Sequence, residues 1–92
     1  MDIVILKVGS DEIIGRVVDT QPEFYVLEKA RLFVPTSSAQ GMELGAMPYF
    51  LSAPDSKCTI YKHLIVGEVL NIPKQLEDMY LMQTTGLQLA SS

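Results

Sequence analysis

Apolar residues in this chain come in short runs broken by turn-forming residues, and only the last quarter carries helical spacing. Ile3 to Val8 is almost wholly apolar and β-branched, which predicts a strand. Gly9-Ser10-Asp11 predicts a turn. Glu12 to Asp19 predicts a second strand with Gly15 in its middle, and mid-strand glycine implies a sharp bend or a close backbone approach. Thr20-Gln21-Pro22-Glu23 breaks the pattern. Phe24 to Val34 predicts a long third strand. Its alternation fails at Glu28, Lys29 and Arg31, as expected of a strand that bends across two sheet faces.

Pro35 to Gly45, rich in Ser, Gly and Gln, predicts a loop. Met47 to Ser52 predicts a short fourth strand, and Ala53-Pro54-Asp55-Ser56 a turn. Cys58 to Lys62 is ambiguous. Leu64 to Leu70 predicts a fifth strand, with Gly67 inside it. Pro73 suits the first position of a helix. Leu76, Met79, Tyr80 and Gln83 follow at helical spacing, Gly86 suits the stop, and Leu87 to Ser92 form a tail. The pattern divides into a barrel over 1–72 and a helix with tail over 73–92. A sandwich would need more strands, and a doubly wound fold would need helices between them. The expected class is mostly β: a small, strongly bent, five-stranded antiparallel barrel with a C-terminal helix.

Composition adds a constraint on stability. A chain of 92 residues has a thin core. One cysteine (Cys58) and one histidine (His63) allow neither an internal disulfide nor a Cys/His zinc site. Oligomerisation is the remaining support for a small domain, and a hydrophobic content of 48% agrees with surface covered by another subunit. The net charge of -4 argues against tight, general phosphate binding. No apolar run reaches the roughly 20 residues that span a bilayer. With a free cysteine and no basic n-region at Met1-Asp2-Ile3, the expectation is a cytoplasmic protein.

Two motifs then carry a resemblance. The first runs Leu6-Lys7-Val8-Gly9, Ile14-Gly15-Arg16-Val17 and Val26-Leu27-Glu28-Lys29-Ala30; the second is Ile65-Val66-Gly67-Glu68-Val69. In this order they resemble the Sm/LSm family, to which bacterial Hfq belongs. The segment Pro73-Lys74-Gln75-Leu76 with Tyr80 and Gly86-Leu87 is similar to Sm-like proteins encoded by bacteriophages. The resemblance implies a homo-oligomeric ring built by strand-edge pairing, fourth strand to fifth, and association with RNA. Two positions depart from the family: Phe24 stands where a base-binding asparagine is usual, and Val66 where a basic residue precedes the glycine.

The candidate nucleic-acid residues are Phe24 and Tyr25, which suit base stacking but equally a core or an interface, and Lys57 and Lys62, which lie near Tyr61 and His63. Lys29 and Arg31 are expected at the surface, paired with Glu28 or a neighbour's carboxylate. Gly15 and Gly67 are expected to serve the backbone. No nucleophile–base pair, carboxylate pair, phosphate-cradling loop or metal set emerges, so neither an enzyme nor a cofactor or metal protein is expected. Two functional readings stay open: a ring that binds RNA weakly, and a structural or protein-interaction ring without nucleic acid.

Overall fold

The computed structural model describes residues 2–85. Six strands and one helix follow in order: β1 (Ile3–Val8), β2 (Asp11–Thr20), β3 (Phe24–Ser38), β4 (Gly41–Pro48), β5 (Lys57–Tyr61), β6 (Ile65–Glu68) and α1 (Lys74–Thr85). A single 3-10 turn, Lys62–Leu64, joins β5 to β6. All pairings are antiparallel. The sheet runs β4-β3-β2-β1-β6, and β5 pairs separately with β3. The class is the one expected, a mostly β, strongly bent antiparallel sheet with a C-terminal helix, and it is consistent with an Sm-like fold. The sheet has six strands instead of five, and it does not close.

β1 is apolar except at the exposed Lys7 because both of its faces are covered along most of its length. Ile3 and Ile5 meet Ile14, Phe33 and Tyr80, where α1 packs through Leu76, Met79 and Leu81. Val4, Leu6 and Val8 face the other way, into a cluster with Ile13, Leu27 and Ile60 inside the bend. The buried Tyr80 carries a polar tip, and its hydroxyl donates to the Glu28 carbonyl at 3.0 Å. Pro73 lies one position before α1, where its carbonyl accepts from Leu76 N and Glu77 N. The helix stop expected at Gly86 and the tail beyond it lie outside the described residues.

The bend is concentrated in β3. Phe24 to Glu28 pairs with β5, whereas Arg31 to Ser38 pairs with β4. Between these ladders Lys29 has a φ of 54°, a left-handed conformation that an L-residue adopts at a cost of roughly 1–2 kcal/mol. Opposite it the register with β2 shifts between Ile14 and Arg16, which marks a β-bulge. Gly15 fills that gap. A Cβ there would stand 3.1 Å from Leu27 Cδ1 and 3.6 Å from Ala30 Cα. Any side chain there would press on the buried Leu27, so the close approach favours glycine. Lys29 is held from outside as well: its Nζ donates to the Thr84 carbonyl at 2.9 Å. That carbonyl lies in the last turn of α1, where helix acceptors lack partners and a cation is favoured.

Three expectations for the second half of the chain need correction. Pro35 to Gly45 is no loop: it forms most of a hairpin in which β3 turns through Ala39-Gln40 into β4. Residues 35–44 are exposed on both faces, so no core imposes an alternation that a sequence pattern could reveal. The strand expected at Met47–Ser52 keeps only its first two residues. From Tyr49 the chain makes tight turns, with Ala53 N donating to Phe50 O and Ser56 N to Ala53 O. Of the ambiguous Cys58–Lys62 stretch, Cys58 to Tyr61 lie in β5, which begins at Lys57, and Lys62 opens the 3-10 turn. Leu64 to Leu70 contributes only Ile65–Glu68 as strand, although Val69 N still donates to Ile5 O at 3.0 Å.

Two outcomes follow. Gly15→Val overpacks the contact with Leu27 and Ala30 and should cost about 1–3 kcal/mol, read as a lower urea midpoint. Burial raises the phenol pKa of both Tyr49 and Tyr80, and for Tyr49 the hydrogen bond to Asp11 raises it further. The unfolded chain then loses these protons first. The stability they carry is complete below the ordinary tyrosine value near 10 and drains as pH rises through the folded values. Tyr49→Phe should flatten this alkaline loss in a melting-temperature series.

Candidate nucleic-acid interface

β5 alternates cleanly. Cys58 and Ile60 point into the bend, while Lys57, Thr59 and Tyr61 point outward. The start of β3 runs alongside, so Phe24 stands opposite Tyr61 and Tyr25 opposite Ile60. The Phe24 and Tyr61 rings meet edge to face, 6.2 Å apart and inclined at 73°. The His63 ring is tilted against Tyr61 at 6.0 Å. Tyr61 remains 49% exposed. Lys62 N donates to the Glu23 carbonyl at 2.9 Å, which ties the turn before β3 to the turn after β5. An open cleft of about 430 Å³ results, lined by Pro22, Glu23, Tyr61, Lys62 and His63.

The four residues singled out for nucleic acid fall in different places. Phe24 supports the cleft as the half-buried backing of Tyr61. Tyr25 faces inward against the Leu27 and Ile60 cluster, and Lys62 Nζ covers its ring at 4.7 Å from the centroid. Lys57 sits at the opposite end of β5, across from Glu28. Four residues at about 3.3 Å each separate it from Tyr61, roughly 13 Å. The exposed ring is Tyr61, whose outward position depends on β5 being a strand.

Four of the remaining cations, Arg16, Lys29, Arg31 and Lys74, have other duties. Arg31 is buried, at 6% exposure. Its guanidinium donates to Pro54 O at 2.7 Å, Ala30 O at 3.3 Å and Asp55 Oδ1 at 2.8 Å. It holds the turn between β4 and β5, and the surface position expected for it is corrected. Lys29 bonds the helix end instead of Glu28, whose carboxylate is taken by Arg16 at 3.3 Å. Lys74 pairs with Asp78 at 3.1 Å. Lys62 is the cation of the cleft, and Glu23 is a carboxylate on the same wall. At the other edge of the sheet, Val66 and Gly67 of β6 are exposed. A Cβ on Gly67 would meet only Lys7 Cβ, at 3.9 Å.

Cys58 and His63 do not come together: the thiol is half-buried inside the bend, with its pKa raised by burial, and the imidazole lines the outer cleft. Among the described residues, no three His, Cys, Asp or Glu side chains gather as a metal site would need. No helix among them is long and apolar enough to cross a membrane. The chain matches no protein-family model and no curated protein.

The two kinds of cation separate by mutation. Arg31→Met strands the Pro54 carbonyl and frees the turn, and should cost about 1–3 kcal/mol. Lys57→Met, at an exposed position, should stay within about 0.5 kcal/mol of the parent. Chemical denaturation of both variants checks the contrast.

Proposed function

We propose that this chain is an Sm-like subunit that closes into a homo-oligomeric ring and offers the Tyr61–Lys62–His63 cleft to single-stranded RNA, which it binds weakly and without base preference. The observation that carries this reading is the cleft itself: a half-exposed aromatic ring, backed by a second ring, beside one lysine and one histidine. A base has a π-face to lay on such a ring, and stacking tolerates any base.

Ring closure is supported by the sheet edges. β5 and β6 each pair on one side only among the described residues, and unpaired edges invite strand addition. Apart from Glu68, the β6 edge and its flanks are apolar, with Val66 at 70% exposure and Leu64, Val69 and Leu70 beside it. The cleft holds one lysine and one carboxylate, so each subunit neutralises few phosphates. A shallow salt slope and modest affinity follow. A second reading, a ring that contacts protein only, is favoured by a different observation. Of seven Lys and Arg residues, Arg16, Lys29, Arg31 and Lys74 are already committed within the chain.

Fluorescence anisotropy with short A-rich and U-rich RNAs at low and physiological salt tests the proposal. Both RNAs should bind comparably at low salt and lose most of their affinity at physiological salt. Losing one stacked base at about 1–3 kcal/mol, Tyr61→Ala should weaken low-salt binding roughly tenfold. Absence of low-salt binding would select the protein-interaction ring, and nanomolar affinity at physiological salt would contradict weak binding. For the ring, Val66→Pro removes a ladder donor and should lower the mass seen by light scattering.

A further inference from the structure

β3 and β4 run past the core as a two-stranded ribbon. Such a ribbon is marginal in water by itself. β4 ends the sheet, and its outer edge has no partner among the described residues. Its guards against further pairing are few: it has no lysine and no bulge, its one proline stands at its end, and its single charge is Glu43. On one face Met42, Leu44 and Ala46 stand opposite Ser37, Pro35 and Phe33. Phe33 and Ala46 belong to the cluster that α1 covers. Leu44 and Met42 continue that face into solvent, at 48% and 69% exposure.

The direction of the backbone groups follows from two bonds. Thr36 Oγ1 donates to Glu43 O at 3.3 Å, and Tyr49 N donates to Ala30 O at 2.9 Å. Glu43 and Tyr49 therefore turn their backbone groups toward β3. Antiparallel ladders alternate, so Met42, Leu44 and Ala46 offer their N–H and C=O groups outward.

We propose that this edge pairs antiparallel with the same edge of a second copy, Leu44 opposite the partner's Leu44. A twofold axis normal to the sheet keeps matching faces together, which leaves three central registers. Centring on Glu43 sets two carboxylates directly opposite each other, a destabilising pair. Centring on Gly45 sets Met42 against the partner's Pro48, which has no N–H to give. Centring on Leu44 avoids both. It pairs Met42 with the partner's Ala46 and puts Glu43 across from the partner's Gly45. The two ribbons become one four-stranded sheet with a continuous apolar face, an isologous contact. Neither β5 nor β6 takes part, so the pairing stands apart from the ring proposal.

Site-specific crosslinking tests it. Cys58 is the chain's one cysteine, so Leu44→Cys is made with Cys58→Ser. Opposed residues of a hydrogen-bonded pair lie about 5.5 Å apart at Cα, within the span of a disulfide. Mild oxidation should give a covalent dimer on a non-reducing gel. Glu43→Cys in the same background should stay monomeric. In the otherwise native chain, Leu44→Lys brings two ammonium groups together and should halve the mass measured by light scattering. The crosslink reads the same whether or not a ring forms. A soluble Leu44→Cys chain that does not crosslink, a Glu43→Cys chain that crosslinks as readily, or a Leu44→Lys chain of unchanged mass would each overturn the proposal.

Discussion

The left-handed backbone at Lys29, set against the missing side chain of Gly15, is the constraint on which the rest of the sheet depends. At that point β3 leaves its pairing with β5 and enters its pairing with β4. A straight strand could serve only one of those neighbours on that side. The left-handed conformation is costly for lysine, and the surroundings hold it there. Ala30 lies against Gly15, Tyr49 N binds the Ala30 carbonyl, and the lysine ammonium is fixed on the Thr84 carbonyl. The helix is thus bound to the bend at two points, through Lys29 and through the Tyr80 hydroxyl on Glu28.

The same bend governs which groups are left for contact with other molecules. It draws Lys29 to the helix and Arg31 to the turn that returns from β4 to β5, so two of the seven cations leave the surface for structural work. It carries β5 along the first half of β3, which sets Tyr61 on Phe24 and opens the cleft beside Lys62. It also sends the second half of β3 out with β4 as a ribbon. One proposed binding cleft of modest charge and a projecting edge both trace to one change of direction in one strand.

Much of this was legible in the sequence, and the rest was hidden for identifiable reasons. β1 and β2 announce themselves because burial on both faces demands apolar, β-branched residues. The bend showed in the broken alternation at Glu28, Lys29 and Arg31 and in Gly15 across from it. The ribbon was hidden because Thr36, Ser37 and Ser38 face water on both sides and have no period to keep. Arg31 was misplaced because its partners, Pro54 and Asp55, lie more than twenty positions away and no local pattern points to them. Phe24 and Lys62 were singled out from the sequence. Tyr61 gained its place only once the short Lys57–Tyr61 stretch was seen to be a strand.

The most direct measurement compares Lys29→Gly with Lys29→Ala by urea denaturation. Both variants lose the bond to Thr84, so their difference isolates the backbone. In an ordinary strand position alanine is the more stable of the two by roughly 0.5–1 kcal/mol. With a left-handed residue at the bend the order reverses, and the glycine variant should be the more stable by about 1 kcal/mol. An alanine variant equal to or more stable than the glycine variant would contradict the account.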